Sequence, residues 1–306
     1  MIELHEVSRS FGDVVALSRL SMTATDGHVT GFLGPNGAGK STTLKLIMGE
    51  IRPDTGIVRV FDENPINNAE LKRRIGYVSE HEDLYPWMKG KQFVTSLAKL
   101  ILPREQAEAA AKEALQKVGL NVKGKRVKSY SKGMKQRLKV AAAIVHNPDL
   151  LILDEPFGGL DPLGRREMKK LVSELNNEGV TILISSHILY ELDEMSTRMV
   201  LIHRGQALAE GPPEEVLNLI DQFPHQILFR APRTELQTLS KLLIEENIIK
   251  TISFPSDETK NDLIVTTDTP SKFYPIVTQV IAENGLQINH LESQTDNIEA
   301  IFDFLT

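Results

Sequence analysis

The chain has 306 residues, of which 41% are hydrophobic, with no cysteine and a formal net charge of −6. That length suits one large domain or two, and the missing thiols exclude disulfides and thiolate metal sites. The balance excludes a dominant nucleic-acid surface, because residues 1–222 are neutral and the surplus lies after Phe223, where 6 basic residues face 12 acidic ones.

The chain opens on alternating, β-branched residues over 1–22, with no charged-then-apolar leader, so two antiparallel strands are expected around Phe11-Gly12-Asp13. A buried strand over 28–33 then enters Gly34-Pro35-Asn36-Gly37-Ala38-Gly39-Lys40-Ser41-Thr42, which matches G-x-x-x-x-G-K-[ST] at every fixed position. A triphosphate needs many short-range donors. Glycines let successive backbone N–H groups curl toward it. Lys40 supplies a point charge for the β- and γ-phosphates, Ser41 a hydroxyl for Mg²⁺, and the helix over 39–48 the positive end of its dipole. The loop's expected ligand is a triphosphate with Mg²⁺.

Residues 52–56 read as a turn before a strand over 57–61, and 90–118 as a helical segment. The basic run from Lys123 to Lys139 reads as a solvated or phosphate-facing helix end rather than a DNA patch. Ser131 is placed to cap a helix running toward Val145. Leu150-Leu151-Ile152-Leu153-Asp154-Glu155 is an apolar strand ending in paired carboxylates, delivered where parallel sheets place their ligands. Asp154 fits the Mg²⁺ shell, and Glu155 is then free to take a proton from an attacking water. A helix over 163–176, a strand over 180–185, a helix over 187–194 and a strand over 199–203 complete an α/β alternation that argues for a largely parallel sheet. The longest apolar runs, such as 150–153 and 180–184, are too short to span a bilayer, so a membrane role requires a partner.

A helix over 214–220 and a linker at Phe223-Pro224-His225 divide the chain into expected domains 1–222 and 223–306. The second reads as strand 226–230, helix 234–247, strands 248–254 and 262–266, helix 271–284 and strand 286–291, with a short closing helix over 297–305. That βαββαβ order is ferredoxin-like, making a small α+β domain.

With these motifs in order, residues 1 to about 220 resemble the ATP-binding-cassette (ABC) ATPases, in the subgroup serving ABC-2 type exporters. The resemblance implies a phosphate-loop fold: a mixed sheet, a helical subdomain and an antiparallel β subdomain. It implies a cytoplasmic ATPase, peripheral on the membrane through an integral permease and without nucleic-acid partners. It implies a homodimer in which Tyr130-Ser131-Lys132-Gly133-Met134 resembles the signature L-S-G-G-Q. Ser131, Gly133 and Asp161 would then act in trans on ATP held by the other copy. Phe11 would stack on adenine, with a core aromatic as the alternative. His187 resembles the switch histidine that meets the γ-phosphate and orients Glu155. Glu80 stands where the family has glutamine, a third carboxylate for Mg²⁺ that is either a working substitute or a dampener. The 80–90 region, with Tyr85, Trp87 and Met88, would meet the permease, although Trp87 also suits a core. A soluble ABC ATPase acting on ribosome or DNA, and a weakly hydrolysing nucleotide switch, are the competing functions.

Overall fold

The computed structural model describes residues 1–81, 83–121, 124–216, 225–255 and 261–293. They fall into two compact units, Met1–Pro213 and Glu214–Thr306. The expected linker at Phe223-Pro224, most of the helix over 214–220 and the closing helix over 297–305 lie outside the described residues.

In the first unit, β1 (Ile2–Phe11) and β2 (Val14–Ala24) form the expected hairpin, turned by Gly12 at φ 58. β4 (Thr55–Val60) pairs with the other edge of β1, giving a three-stranded antiparallel sheet. The main sheet has six strands in the order β5 (Ile75–Val78), β6 (Leu150–Asp154), β7 (Thr181–Ser186), β3 (Val29–Leu33), β8 (Arg198–His203) and β9 (Gln206–Gly211). All its pairs are parallel except β8 with β9. Every residue of β3, β6 and β7 is buried, as expected of strands covered on both faces. One apolar cluster joins the two sheets through Ile2, Leu20, Met22, Phe32, Leu44 and Ile152.

Helices α1 (Lys40–Ile47), α2 (Ala69–Lys72), α3 (Gly90–Ile101), α4 (Arg104–Lys117), α5 (Lys132–Ile144) and α6 (Pro162–Asn177) belong to this unit. α3, α4 and α5 pack on one another as the helical part. Ala107, Ala111 and Ala114 are the small buried face that lets α4 approach closely. α6 buries Met168, Leu171, Val172 and Leu175, its predicted stripe.

The expected helix over 187–194 does not form; a single 3₁₀ turn spans Leu189–Glu191. The Ser186 hydroxyl takes the Ile188 N–H at 3.0 Å, and Ile188 is extended at φ −115, so the chain turns on side-chain bonds instead of winding.

The second unit runs β10 (His225–Arg230), α7 (Arg233–Glu245), β11 (Thr251–Ser253), β12 (Asp262–Thr267), α8 (Pro270–Glu283) and β13 (His290–Ser293). Its sheet is wholly antiparallel in the order β11-β12-β10-β13. Ile227, Phe229, Leu236, Leu239, Leu263, Val265 and Phe273 form its core. The last strand begins later than residue 286. Gly285 at φ 63 ends α8, Leu286 and Ile288 pack on the core, and pairing starts at His290 opposite Arg230.

Candidate functional site

The glycine loop leaves β3 and is seated between two neighbouring strands. The Gly34 N–H donates to the Ser186 carbonyl at 3.2 Å, and the Gly205 N–H donates to the Ala38 carbonyl at 2.9 Å. A Cβ on Gly34 would stand 2.3 Å from the Ile202 carbonyl oxygen, and one on Gly39 2.6 Å from Leu17 Cδ2 and 2.7 Å from the Ala16 oxygen. Gly39 also sits at φ 108 and Gly37 at φ 81. Here glycine is required both by conformation and by close approach. Lys40 Nζ donates to the carbonyls of Gly34 at 2.6 Å and Pro35 at 3.3 Å, closing the curl from below. No side chain caps α1, so its first N–H groups are left for an anion. Asn36, Gly37 and Ser41 are exposed, Thr42 half-buried.

β6 delivers Asp154, 4% exposed, directly opposite Ser185 on β7. The Ser185 hydroxyl donates to Asp154 Oδ1 at 2.5 Å and accepts from the Glu155 N–H at 3.0 Å. Tyr77 on β5 donates to Asp154 Oδ2 at a long 3.5 Å. Burial pushes the proton affinity of Asp154 up; the Ser185 bond offsets part of this, while the charges of Glu155 and Glu80 add to it. Burial raises the Tyr77 hydroxyl as well, helped by Asp154.

Glu155 leaves the strand at φ 47, a left-handed conformation uncommon outside glycine. That bend aims its carboxylate at two partners. Oε2 lies 2.8 Å from His187 Nδ1, and Oε1 lies 3.3 Å from Lys40 Nζ. The Lys40 contact is an ion pair without hydrogen-bond alignment, and Oε1 has no hydrogen bond. Lys40, Glu155 and His187 therefore meet in one place, with Asp154 beside them.

Ser131 caps α5 by accepting from the Met134 N–H at 3.3 Å, and Asp161 caps α6 by accepting from the Gly164 N–H at 2.7 Å. Ser131, Gly133 and Asp161 line one cleft of about 500 Å³, to which no residue of 34–42 contributes. A Cβ on Gly133 would find its nearest neighbour, Leu160 Cδ2, at 3.9 Å. Packing within the chain therefore does not demand glycine there.

Phe11 is 47% exposed with the Arg9 guanidinium 4.8 Å from its ring centroid, which overturns the core alternative for it. Trp87 is 66% exposed and lies against Tyr85 at 5.3 Å between centroids, so the core alternative fails there too. Glu80 is exposed, at the end of β5, where its charge reaches Asp154. The sequence reading missed Tyr77 and Ser185; only Ser185, immediately before Ser186-His187, had a local signal.

Among the described residues, no group of three or more His, Cys, Asp and Glu is placed to hold a metal alone. Mg²⁺ arriving with a nucleotide takes much of its shell from phosphate and water, so the hard oxygens of Ser41 and Asp154 suit it.

A glycine loop after one parallel strand and paired carboxylates after another define a phosphate-loop nucleotide hydrolase. The chain belongs to the ABC transporter ATPases. The ABC transporter family model matches residues 17–158. An uncharacterized ABC transporter ATP-binding protein of Nostoc sp. is 39% identical over 208 residues, 67% of this chain and 62% of its own, so the chain spans under two thirds of that relative. The bacitracin transport ATP-binding protein of Enterococcus faecalis is 32% identical over 305 residues, 99% of this chain and 95% of its own. The solved structure of cbiO1 from Clostridium perfringens superposes with TM-score 0.66 at 27% identity, covering 80% of this chain and 96% of that one. No described helix is long and apolar enough to cross a membrane.

Proposed function

We propose that the chain is the ATP-hydrolysing subunit of an exporter, and that two copies close around two Mg-ATP molecules to drive an integral membrane permease from its cytoplasmic side. The observation that carries the catalytic part is Glu155, held 2.8 Å from His187 Nδ1 and 3.3 Å from Lys40 Nζ. Glu155 takes the proton of the attacking water, and His187 fixes the carboxylate that receives it. Residues 34–42 hold the phosphates, Lys40 neutralises them and Phe11 presents a ring to the base. Ser41, Asp154 and Glu80 would hold Mg²⁺, which shields the phosphate charge when bound.

The open cleft at Ser131, Gly133 and Asp161 supports their action in trans, since none of the chain's own phosphate loop lines it. The exposed pair Tyr85 and Trp87 supports the 80–90 region as the permease contact, although residue 82 is not described. The Enterococcus relative is named for bacitracin transport and cbiO1 is described as part of an ABC transporter complex, which supports a transport role within an assembly. The second unit is proposed as a ferredoxin-like dimerisation or regulatory module. A weakly hydrolysing switch is favoured by one observation alone, the extra charge of Glu80 bearing on Asp154.

The test is Glu155→Gln in the full chain. It should bind ATP as the wild type does, dimerise in ATP, and hydrolyse about 10²–10⁴-fold more slowly. Turnover within tenfold of wild type removes Glu155 as the base.

A further inference from the structure

We propose that Glu191 and Arg165 form a positioning pair that ties α6, the helix capped by Asp161, to the turn carrying His187, and so sets how His187 meets Glu155. The inference rests on the roles given above to Glu155, His187 and Asp161.

Glu191 is 4% exposed. Its Oε2 accepts from the Ser186 hydroxyl at 2.6 Å, and that same hydroxyl accepts the Ile188 N–H at 3.0 Å. The residues on both sides of His187 are therefore fixed to one oxygen, and that oxygen is held by Glu191. Burial raises the proton affinity of this carboxyl, the Ser186 bond partly offsetting it.

The other carboxylate oxygen, Oε1, points at Arg165 Nε across 3.9 Å. Both atoms are buried, and neither has a hydrogen-bond partner. Two opposite charges left short of contact in a buried place are an incomplete bond, because a buried polar atom without a partner is costly. A shift of α6 by about 1 Å would bring them within hydrogen-bond distance.

α6 is the element able to supply that shift. It starts at Asp161, whose carbonyl accepts the Arg165 N–H at 2.9 Å and whose carboxylate caps the helix. Arg165 therefore lies one turn from the residue proposed to act across the dimer. A further turn along, Lys169 pairs with Glu194 at 2.9 Å, so α6 already grips the segment after His187 at an outer point. Engagement of Asp161 by the second copy moves Arg165 onto Glu191, and Ser186 carries the adjustment to His187. Hydrolysis is thereby linked to completion of the dimer.

The test uses the full chain and steady-state ATP hydrolysis, separating kcat from KM. Glu191→Gln keeps an acceptor for Ser186 and removes the charge that meets Arg165. It and Arg165→Gln should each lower kcat by at least roughly fivefold with KM for ATP within about twofold, and the double variant should fall no further than the worse single one. A fall in kcat smaller than that, a matching rise in KM, or losses that multiply in the double variant overturns the pair. If Glu191→Gln does not fold, Arg165→Gln, whose side chain is 42% exposed, decides by the same limits. Glu155→Gln is run beside them. If it keeps turnover, the catalytic reading itself has failed; if it alone loses turnover, only the positioning pair has.

Discussion

At the scale of single residues, Asp154 pays for its place. It is buried, and the charges of Glu155 and Glu80 add to the cost of its ionised form. A carboxyl whose proton affinity is raised on folding contributes stability that is present below its unfolded pKa and lost as pH rises through the folded one. Asp154→Asn keeps the shape and an acceptor for Ser185 while removing the charge. It should raise the melting temperature of the nucleotide-free chain at pH 7.5, the gain vanishing as pH falls below about 4. ATP hydrolysis should fall by about 10²-fold or more, since a charge held at the phosphates is lost. Melts across a pH series check this, and an unchanged or lower melting temperature at pH 7.5 would show that Asp154 carries no such strain. Asp154, Glu155 and Lys40 were legible in the sequence because a short pattern fixes residue type and spacing together. Ser185 and Glu191 were not. Ser185 matters through the β6–β7 register that sets it opposite Asp154, and Glu191 through burial beside Arg165 of α6, a helix far upstream in the chain. Neither relation has a signature along the chain.

Elements carry the next level. The phosphate loop keeps its shape because Gly39 is at φ 108 with the Ala16 carbonyl and Leu17 against it. Gly39→Ala adds a strained conformation and a clash with backbone, worth about 1–3 kcal/mol for the strain alone. It should lower the melting temperature by several degrees and weaken ATP affinity at least about tenfold, because the loop's N–H groups lose their common focus. Gly37 makes the comparison. It has φ 81 but open space around it, so Gly37→Ala should cost less in both measurements. Equal penalties would mean that seating on β2 is irrelevant to the loop. The strands feeding the site were legible as apolar runs because both their faces are buried. β9 escaped notice: it is a sheet edge of alternating exposure, with pairing on one side. The stretch after His187 looked helical by composition, and a hydroxyl-directed turn won over propensity.

At the scale of the whole molecule, the two units have different sequence character. The apolar cluster that joins the first unit's sheets lies wholly within residues 1–213, and the second unit's core closes on itself. Both cores were legible as two runs of alternating strands and helices, since each run buries its own apolar faces. The helix over 214–220 and the linker at Phe223-Pro224-His225 expected between them fall largely outside the described residues. A chain ending at Gln222 therefore keeps a complete core and every residue assigned to ATP, and it should fold and bind ATP with unchanged affinity. If the second unit is the dimerisation module, that shortened chain should self-associate more weakly in ATP than the full chain, with turnover falling in step. Charge sharpens the test. All of the −6 surplus sits after Phe223, so bringing two second units together sets like charges against each other. Salt screens that repulsion over a Debye length of about 10 Å at 0.1 M. Dimerisation through this unit should strengthen between low and moderate ionic strength in the full chain, with no such gain in the shortened one. Light scattering of both chains with Mg-ATP across a salt series measures it; equal dimer fractions at every salt concentration, with equal turnover, would remove the second unit from assembly.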